Sequence, residues 1–186
     1  MKSNSHYFYA LSLPPEIKEQ LKNYTTVLKE KLPFSRWVHH QDYHITLAFL
    51  GSAQNDMLEL SNKLVKQQVS SLGAFQLMIE TLGLFGSNES PRIFWAGVNK
   101  EEGLHSVRNQ VYLACKQAGF QLENRPFHPH ITLARKWQGE NPFSKAKFED
   151  EFPIKPFSFN ADEVVLYQTH LDRIPKYEAI EVFPLK

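Results

Sequence analysis

The chain has a single cysteine, Cys115, among its 186 residues. An intrachain disulfide and a cysteine-based zinc cluster are therefore excluded, and one thiol suits a reducing compartment. Long apolar runs are missing too, which argues against a transmembrane helix. The first residues, MKSNSHYFYALSL, lack the apolar stretch of a signal peptide. We therefore expect a cytoplasmic protein with no membrane partner.

Neither sign of charge dominates the sequence. Lysine and arginine number 21 and aspartate and glutamate 20, which gives a net charge of +1. This balance argues against a broad basic surface that coats long nucleic acids. A small anionic ligand or the end of an RNA needs only a few local cations, so both remain open.

Signatures of other phosphate and acyl chemistry are missing as well. The segment GLFGS at 83–87 lacks the lysine of a P-loop, so hydrolysis of nucleoside triphosphates is not supported. No Gly-x-Ser-x-Gly occurs, and Cys115 is predicted on the apolar side of a helix. Nucleophilic catalysis by serine or cysteine is therefore not supported either.

What is present is a mixture of strand-like and helix-like segments. Helical spacing follows Pro15 to about residue 32 and recurs at 56–70 and 102–118, where Met57, Leu60 and Leu64 mark the predicted buried face of the second helix. Strand-like segments are 6–13, 44–50, 75–82, 92–98, 130–135 and several after 157. Gly51 is predicted to end one strand, and 83–91 to form a loop. Irregular alternation favours an α+β fold, and we expect one domain over residues 1–186.

The most informative feature is a duplicated pentapeptide. The chain reads HITLAF from position 44 and HITLAR from position 130. In a chain of this length a repeated pentapeptide is expected by chance about 0.01 times. The repeat therefore predicts two related halves of one structure.

Each copy reads as a strand, in which alternate side chains share a face. The predicted shared faces carry His44, Thr46 and Ala48 in the first copy and His130, Thr132 and Ala134 in the second. Two imidazoles and two hydroxyls suit a phosphate group, because hydroxyls donate to its oxygens and histidine can give or take a proton near neutral pH. Such a displacement requires no metal.

The residues alone leave other interpretations open. Histidine on a strand is more often a surface residue than a catalytic one. Five histidines at 39, 40, 44, 128 and 130 also suggest a metal site, although Asp42 is the only carboxylate near them in sequence. A non-catalytic binder of RNA ends would show the same pattern.

The two copies also carry a family resemblance. HITLAFLG at 44–51 and HPHITLAR at 128–135 resemble the paired H-x-T/S-Φ signatures of the 2H phosphoesterase superfamily. They are most similar to its RNA 2′,3′-cyclic phosphodiesterase branch, also called 2′-5′ RNA ligase. The resemblance extends to FYALSLP at 8–14, PRIFWAGV at 91–98 and the last two strand-like segments.

The resemblance implies a two-lobed, pseudo-symmetric fold with antiparallel sheets lining a central cleft and helices outside. It also implies hydrolysis of RNA 2′,3′-cyclic phosphate ends to 2′-phosphomonoesters, without metal or other cofactor. His44 is then expected to protonate the departing 3′ oxygen and His130 to activate water, while Thr46 and Thr132 hold the phosphate. The expected ligands are RNA ends or small cyclic nucleotides. We expect a monomer with no obligate protein partner.

Phe49 and Arg135 follow the two copies at equivalent positions, and the resemblance implies that they flank the terminal base. An aromatic ring and a guanidinium plane can both stack on a base. Strict alternation, however, places both side chains opposite the histidine and threonine. They reach the cleft only if the strands twist or bulge at their ends.

The substrate has several alternatives within the same chemistry. Another cyclic phosphate, a 2′-5′ linked nucleotide, or 2′-5′ ligation in the reverse direction would use the same groups. The chain also departs from the family pattern at two places: His6 stands where an arginine is usual, and Gln168 and 172–173 replace a serine and a glycine of the last hairpin.

Overall fold

The structure, a computed structural model, describes residues 5–186. The predicted domain over residues 1–186 includes residues 1–4, which lie outside the described residues. The elements in chain order are β1 (His6–Ser12), α1 (Pro15–Lys29), β2 (Phe34–Trp37), a 3-10 turn (His40–Asp42), β3 (His44–Ser52), α2 (Asn55–Val69), β4 (Phe75–Gly86), β5 (Pro91–Val98), α3 (Glu102–Gln117), β6 (His130–Trp137), α4 (Lys145–Glu151), β7 (Phe157–Ala161), β8 (Glu163–Thr169) and β9 (Tyr177–Pro184).

The strands form two antiparallel sheets, one for each lobe. The first has the order β3-β1-β8-β9, and the second has the order β2-β6-β5-β4-β7. Each sheet contains one copy of the pentapeptide, on β3 and on β6 respectively. The predicted α+β class and two-lobed arrangement are thereby confirmed.

The helices pack their apolar faces on the sheets. α1 begins at Pro15, where the first turn needs no backbone donor. α2 and α3 contact each other and also reach β9 and β3 of the first sheet. The apolar side chains predicted at helical spacing in α3 are all buried: Leu104, Val107, Val111 and Ala114. No helix within residues 5–186 has the length and apolar character needed to cross a membrane.

The predicted apolar face of α2 is wrong at Leu60, whereas Met57 and Leu64 are half-buried and pack against the core. Leu60 is 44% exposed, and the buried side chains are Leu58, Ser61, Val65 and Val69. Ser61 is tolerated in the core because its hydroxyl lies 2.8 Å from the Tyr9 hydroxyl and donates to the Leu58 carbonyl at 2.8 Å. The buried face of α2 therefore includes a hydroxyl that apolar spacing alone does not predict.

Two strand ends also differ from the prediction. β3 continues through Gly51, which has a φ of 69°, as far as Ser52. β4 runs on to Gly86, so that the first half of the predicted loop at 83–91 is strand. Gly83 is paired with Trp95, and a Cβ there would overlap the Trp95 ring. The glycine thus marks a close approach within the sheet instead of a loop.

Candidate active site

The two copies of the pentapeptide meet between the lobes. β3 and β6 belong to different sheets but contact each other. A cavity of about 190 Å³ lies at this contact. We call it the reaction cavity, and its lining includes all six side chains predicted from the sequence: His44, Thr46, Phe49, His130, Thr132 and Arg135.

Each copy contains a bulge at its leucine. On β3 the register with β1 shifts at Leu47, and on β6 the register with β5 shifts at Leu133. An extra residue reverses the alternation of the side chains that follow. Phe49 and Arg135 therefore lie on the same side as the histidine and threonine of their strands, as the cavity lining shows. Phe49 and Arg135 were predicted to reach the cleft only if their strands twist or bulge, and both strands contain such a bulge.

The same bulges correct the prediction for the two alanines. Ala48 is only 6% exposed and Ala134 is fully buried, and both belong to the hydrophobic core. Neither lines the reaction cavity. Their predicted position on the same face as the histidine and threonine is wrong, because the extra leucine turns them toward the core.

Backbone carbonyls fix the orientation of both imidazoles. Nδ1 of His44 lies 2.7 Å from the carbonyl oxygen of Asp42, and Nδ1 of His130 lies 2.7 Å from that of His128. A carbonyl oxygen only accepts, so Nδ1 carries the hydrogen and Nε2 of the neutral ring keeps its lone pair. Each ring is thus held by the residue two positions before it.

The two Nε2 atoms differ in their surroundings. Nε2 of His44 lies 3.0 Å from the Thr46 hydroxyl, which donates to it when the ring is neutral. Nε2 of His130 has no hydrogen-bond partner within residues 5–186. The second ring therefore has the more accessible lone pair.

Both imidazoles are neutral at pH 7. Burial lowers the pKa of His44 to about 4, although the carbonyl and the carboxylate of Asp42 oppose this shift. Burial also lowers the pKa of His130, and Arg135 lowers it further, although the hydrogen bond to the His128 carbonyl opposes this shift. An acidic residue thus lies beside the first ring and cationic or neutral groups beside the second, which makes the two half-sites electrostatically unequal.

Comparison with known families fits this geometry. A sequence model described as the 2′-5′ RNA ligase superfamily matches residues 13–173. The chain belongs to the 2′-5′ RNA ligase superfamily. The match includes both copies of the pentapeptide and thus all six predicted site residues.

Several members of this superfamily are similar over nearly the whole chain. An RNA 2′,3′-cyclic phosphodiesterase of Geobacillus stearothermophilus is 43% identical over 97% of this chain, which spans 57% of that relative's length. A Bacillus subtilis protein of the same name is 37% identical over 97% of this chain and 96% of its own length. Escherichia coli LigT, solved in complex with 3′-AMP, matches with a TM-score of 0.79 and 26% identity over 99% of each chain.

Aromatic rings surround each histidine of this superfamily member. Phe8 and Tyr177 lie with their ring centroids 4.8 and 5.2 Å from that of His44. Phe85 lies edge-on 4.8 Å from His130. These rings limit the positions that each imidazole can adopt, and they provide the low-polarity surroundings that lower both pKa values.

Asp42 is a site residue whose role sequence reasoning missed. Its side chain is only 5% exposed and accepts hydrogen bonds from the backbone N–H groups of Lys176 and Tyr177, at 2.9 and 3.1 Å. Its backbone carbonyl holds His44. Asp42 therefore joins the beginning of β9 and the residue before it to the His44 imidazole. Its position as the lone carboxylate in HHQDYH was the available signal.

The departures from the family pattern have local explanations. The His6 ring packs edge-on against Phe49, with the centroids 5.9 Å apart, so an aromatic contact occupies the place of the usual arginine. Gln168 donates from Nε2 to the Ser5 hydroxyl at 2.9 Å. Arg173 pairs with Glu178 at 2.8 Å and does not line the reaction cavity.

The metal-site interpretation gains no support from the arrangement of side chains. Among residues 5–186, no group of three or more histidine, cysteine, aspartate or glutamate side chains is placed to hold a metal ion. The rings of His39 and His40 pack together 4.4 Å apart, and His40 lies 3.6 Å from Glu19. Trp95 is buried in the sheet, and Trp37 is half-buried beside the cleft.

Proposed function

We propose that this protein hydrolyses RNA 2′,3′-cyclic phosphate ends to 2′-phosphomonoesters by acid–base catalysis that needs no metal. The observation that carries the proposal is the convergence of two His-x-Thr pairs on one cavity, with each Nδ1 held by a carbonyl and each Nε2 directed away from it. Relatives of 43% and 37% identity carry the name RNA 2′,3′-cyclic phosphodiesterase, which supports the same assignment.

His130 acts as the base in this proposal. Its Nε2 lone pair has no partner within residues 5–186, and burial together with the neighbouring Arg135 disfavours its protonation. It takes a proton from water as the water oxygen attacks phosphorus. The lowered pKa keeps the His130 imidazole unprotonated before the reaction, as a general base must be.

His44 acts as the acid. The Asp42 carboxylate and carbonyl favour its protonated form, and the bound anionic phosphate adds to this effect by offsetting the cost of burial. As the bond from phosphorus to the 3′ oxygen breaks, His44 gives its proton to that oxygen. The products are a 3′ hydroxyl and a 2′-phosphomonoester, and exchange with solvent resets the two rings.

Thr46 and Thr132 hold the phosphate in this scheme. Each hydroxyl lies two residues after its histidine on the cavity side of the strand. A hydroxyl can donate to a non-bridging oxygen while the imidazole acts on a reacting oxygen. Phe49, which is 55% exposed, and Arg135 are proposed to flank the terminal base.

The proposal also covers the state and location of the protein. Both His-x-Thr pairs that the proposed chemistry needs lie on this chain, and we propose a monomer without an obligate protein partner. One continuous core joins both sheets and supports a single domain. Burial raises the pKa of the Cys115 thiol to about 12. We propose a cytoplasmic location, because a single unpaired cysteine suits a reducing compartment.

Phosphorus NMR of a dinucleotide with a 2′,3′-cyclic phosphate end tests the reaction. The cyclic-phosphate signal should be replaced by that of a 2′-phosphomonoester, and the rate should be unchanged in EDTA. A 3′-phosphomonoester would reject the proposed regiochemistry. Binding without any new signal would identify a non-catalytic RNA-end binder, and loss of turnover in EDTA would restore the metal interpretation.

The rate should depend on pH in a way that reflects both lowered pKa values. In the free enzyme, His44 loses its acid form as the pH rises above about 4. His130 gains its neutral base form as the pH rises through its own pKa, which lies below the ordinary value of about 6.5. The maximum of kcat/KM should therefore fall below about pH 6.5. The maximum of kcat should lie at higher pH, because the bound anion raises the pKa of His44. Rate profiles from pH 4 to 9 measure both, and a kcat/KM that still rises above pH 8 would contradict the assignment.

A further inference from the structure

A second cavity adjoins the reaction cavity and has no role in the proposed chemistry. It has a volume of about 390 Å³, roughly twice that of the reaction cavity. The two share Val38, Asp42, Arg135 and Tyr177 on their linings. We call this second space the flanking cavity. Its volume lies within the range of small-ligand sites in proteins.

The flanking cavity carries more positive than negative charge, with Arg36, Arg135 and Lys176 against the single carboxylate of Asp42. Arg36 on β2 lies directly opposite Arg135 on β6, and like charges at opposed positions of a sheet repel each other. In the described part of the chain, neither arginine forms an ion pair, and the Lys176 side chain forms none either. The only carboxylate on the lining, Asp42, already accepts two backbone N–H groups.

The same lining offers aromatic surface beside the cations. Trp37 and Tyr177 are both half-buried there, and the Ile174 side chain, which is 72% exposed, extends the apolar part. Positive groups that contact phosphates, next to rings on which bases stack, are the combination that binds single-stranded nucleic acid. An unbalanced pair of opposed arginines is stabilised when an anion lies between or beside them.

We propose that the flanking cavity binds the nucleotide that precedes the terminal one in an RNA strand. Arg36 and Lys176 contact the phosphate that joins the two nucleotides, and Trp37 offers its ring to the preceding base. This inference rests on the proposed function, since it takes the terminal phosphate to lie between His44 and His130. It makes an oligonucleotide, and not a mononucleotide, the preferred ligand.

Binding of reaction products tests the inference without relying on turnover. Isothermal titration calorimetry should show that a dinucleotide with a 2′-phosphate end binds at least about tenfold more tightly than adenosine 2′-phosphate, since hydrogen bonds to charged groups have about this effect. Arg36→Ala and Lys176→Ala should each remove most of that advantage. Both variants should bind adenosine 2′-phosphate with wild-type affinity. Arg125→Ala, an exposed arginine outside both cavities, is the matched control and should leave both affinities unchanged.

The outcomes separate this inference from the proposed function. Equal affinity of wild-type protein for the two ligands would overturn the inference. So would an unchanged dinucleotide advantage in both variants, or an equal loss for both ligands, which would assign Arg36 and Lys176 to the terminal phosphate. The proposed function fails by a different measurement, the absence of a 2′-phosphomonoester product from a cyclic phosphate, while the calorimetric preference would still report on the flanking cavity.

Discussion

Replacement of either His44 or His130 by alanine is expected to lower the rate of cyclic-phosphate hydrolysis by about 10³-fold. Each variant removes one proton-transfer group and leaves the other in place with its carbonyl partner. The phosphate would still bind through Thr46 and Thr132, so the loss should fall mainly on kcat and less on KM.

The fold should survive both substitutions. The two rings line a cavity and are only half-buried, and each makes a single hydrogen bond to the backbone. Far-ultraviolet circular dichroism and the urea midpoint measure this directly. His105→Ala is a suitable control, because His105 is half-buried on α3, contacts Phe127 and lies outside the reaction cavity. It should retain the wild-type rate, and a comparable loss there would point to general destabilisation.

Replacement of Asp42 by alanine is expected to lower the free energy of unfolding by about 3 kcal/mol, because two hydrogen bonds to a buried charged acceptor are lost. The N–H groups of Lys176 and Tyr177 would be left without an acceptor where the start of β9 packs against the 3-10 turn. The turn that holds His44 would lose its attachment to the hairpin formed by β8 and β9, so the rate of hydrolysis should also fall. Urea unfolding and steady-state kinetics measure the two effects.

Asp172→Ala provides the matched comparison for Asp42. Asp172 is an exposed carboxylate in the loop between β8 and β9, close in sequence to the same hairpin. Its removal should change the stability by no more than about 0.5 kcal/mol. If Asp42→Ala were as stable and active as Asp172→Ala, the proposed attachment between the hairpin and the first imidazole would be wrong.

The sequence was sufficient for the strands that carry the site and for the pairing of the two histidines. His44 and His130 could be identified because a repeated pentapeptide with a titratable residue is rare by chance, and because the surrounding segments resemble one family. α3 was also correctly assigned to its buried face, since its apolar residues keep helical spacing without a competing polar group.

Other features depended on interactions between distant segments. Nothing in HITLA shows that its leucine will be the extra residue of a bulge, because that depends on the register with β1 and β5. For this reason the prediction for the two alanines was wrong. Phe49 and Arg135 could be predicted in the cleft only on the assumption that their strands twist or bulge. The prediction for α2 was wrong at Leu60, and it missed Ser61, which is buried because its hydroxyl partner lies 52 residues away on β1.

The central claim is that the two copies of the pentapeptide are halves of one catalytic site. Single-turnover hydrolysis by His44→Ala, His130→Ala and the double variant tests it most directly. Groups that act in one step are strongly non-additive, so the double variant should lose about as much rate as either single variant, about 10³-fold. Losses that multiply to about 10⁶-fold, or a wild-type rate in either single variant, would contradict the claim.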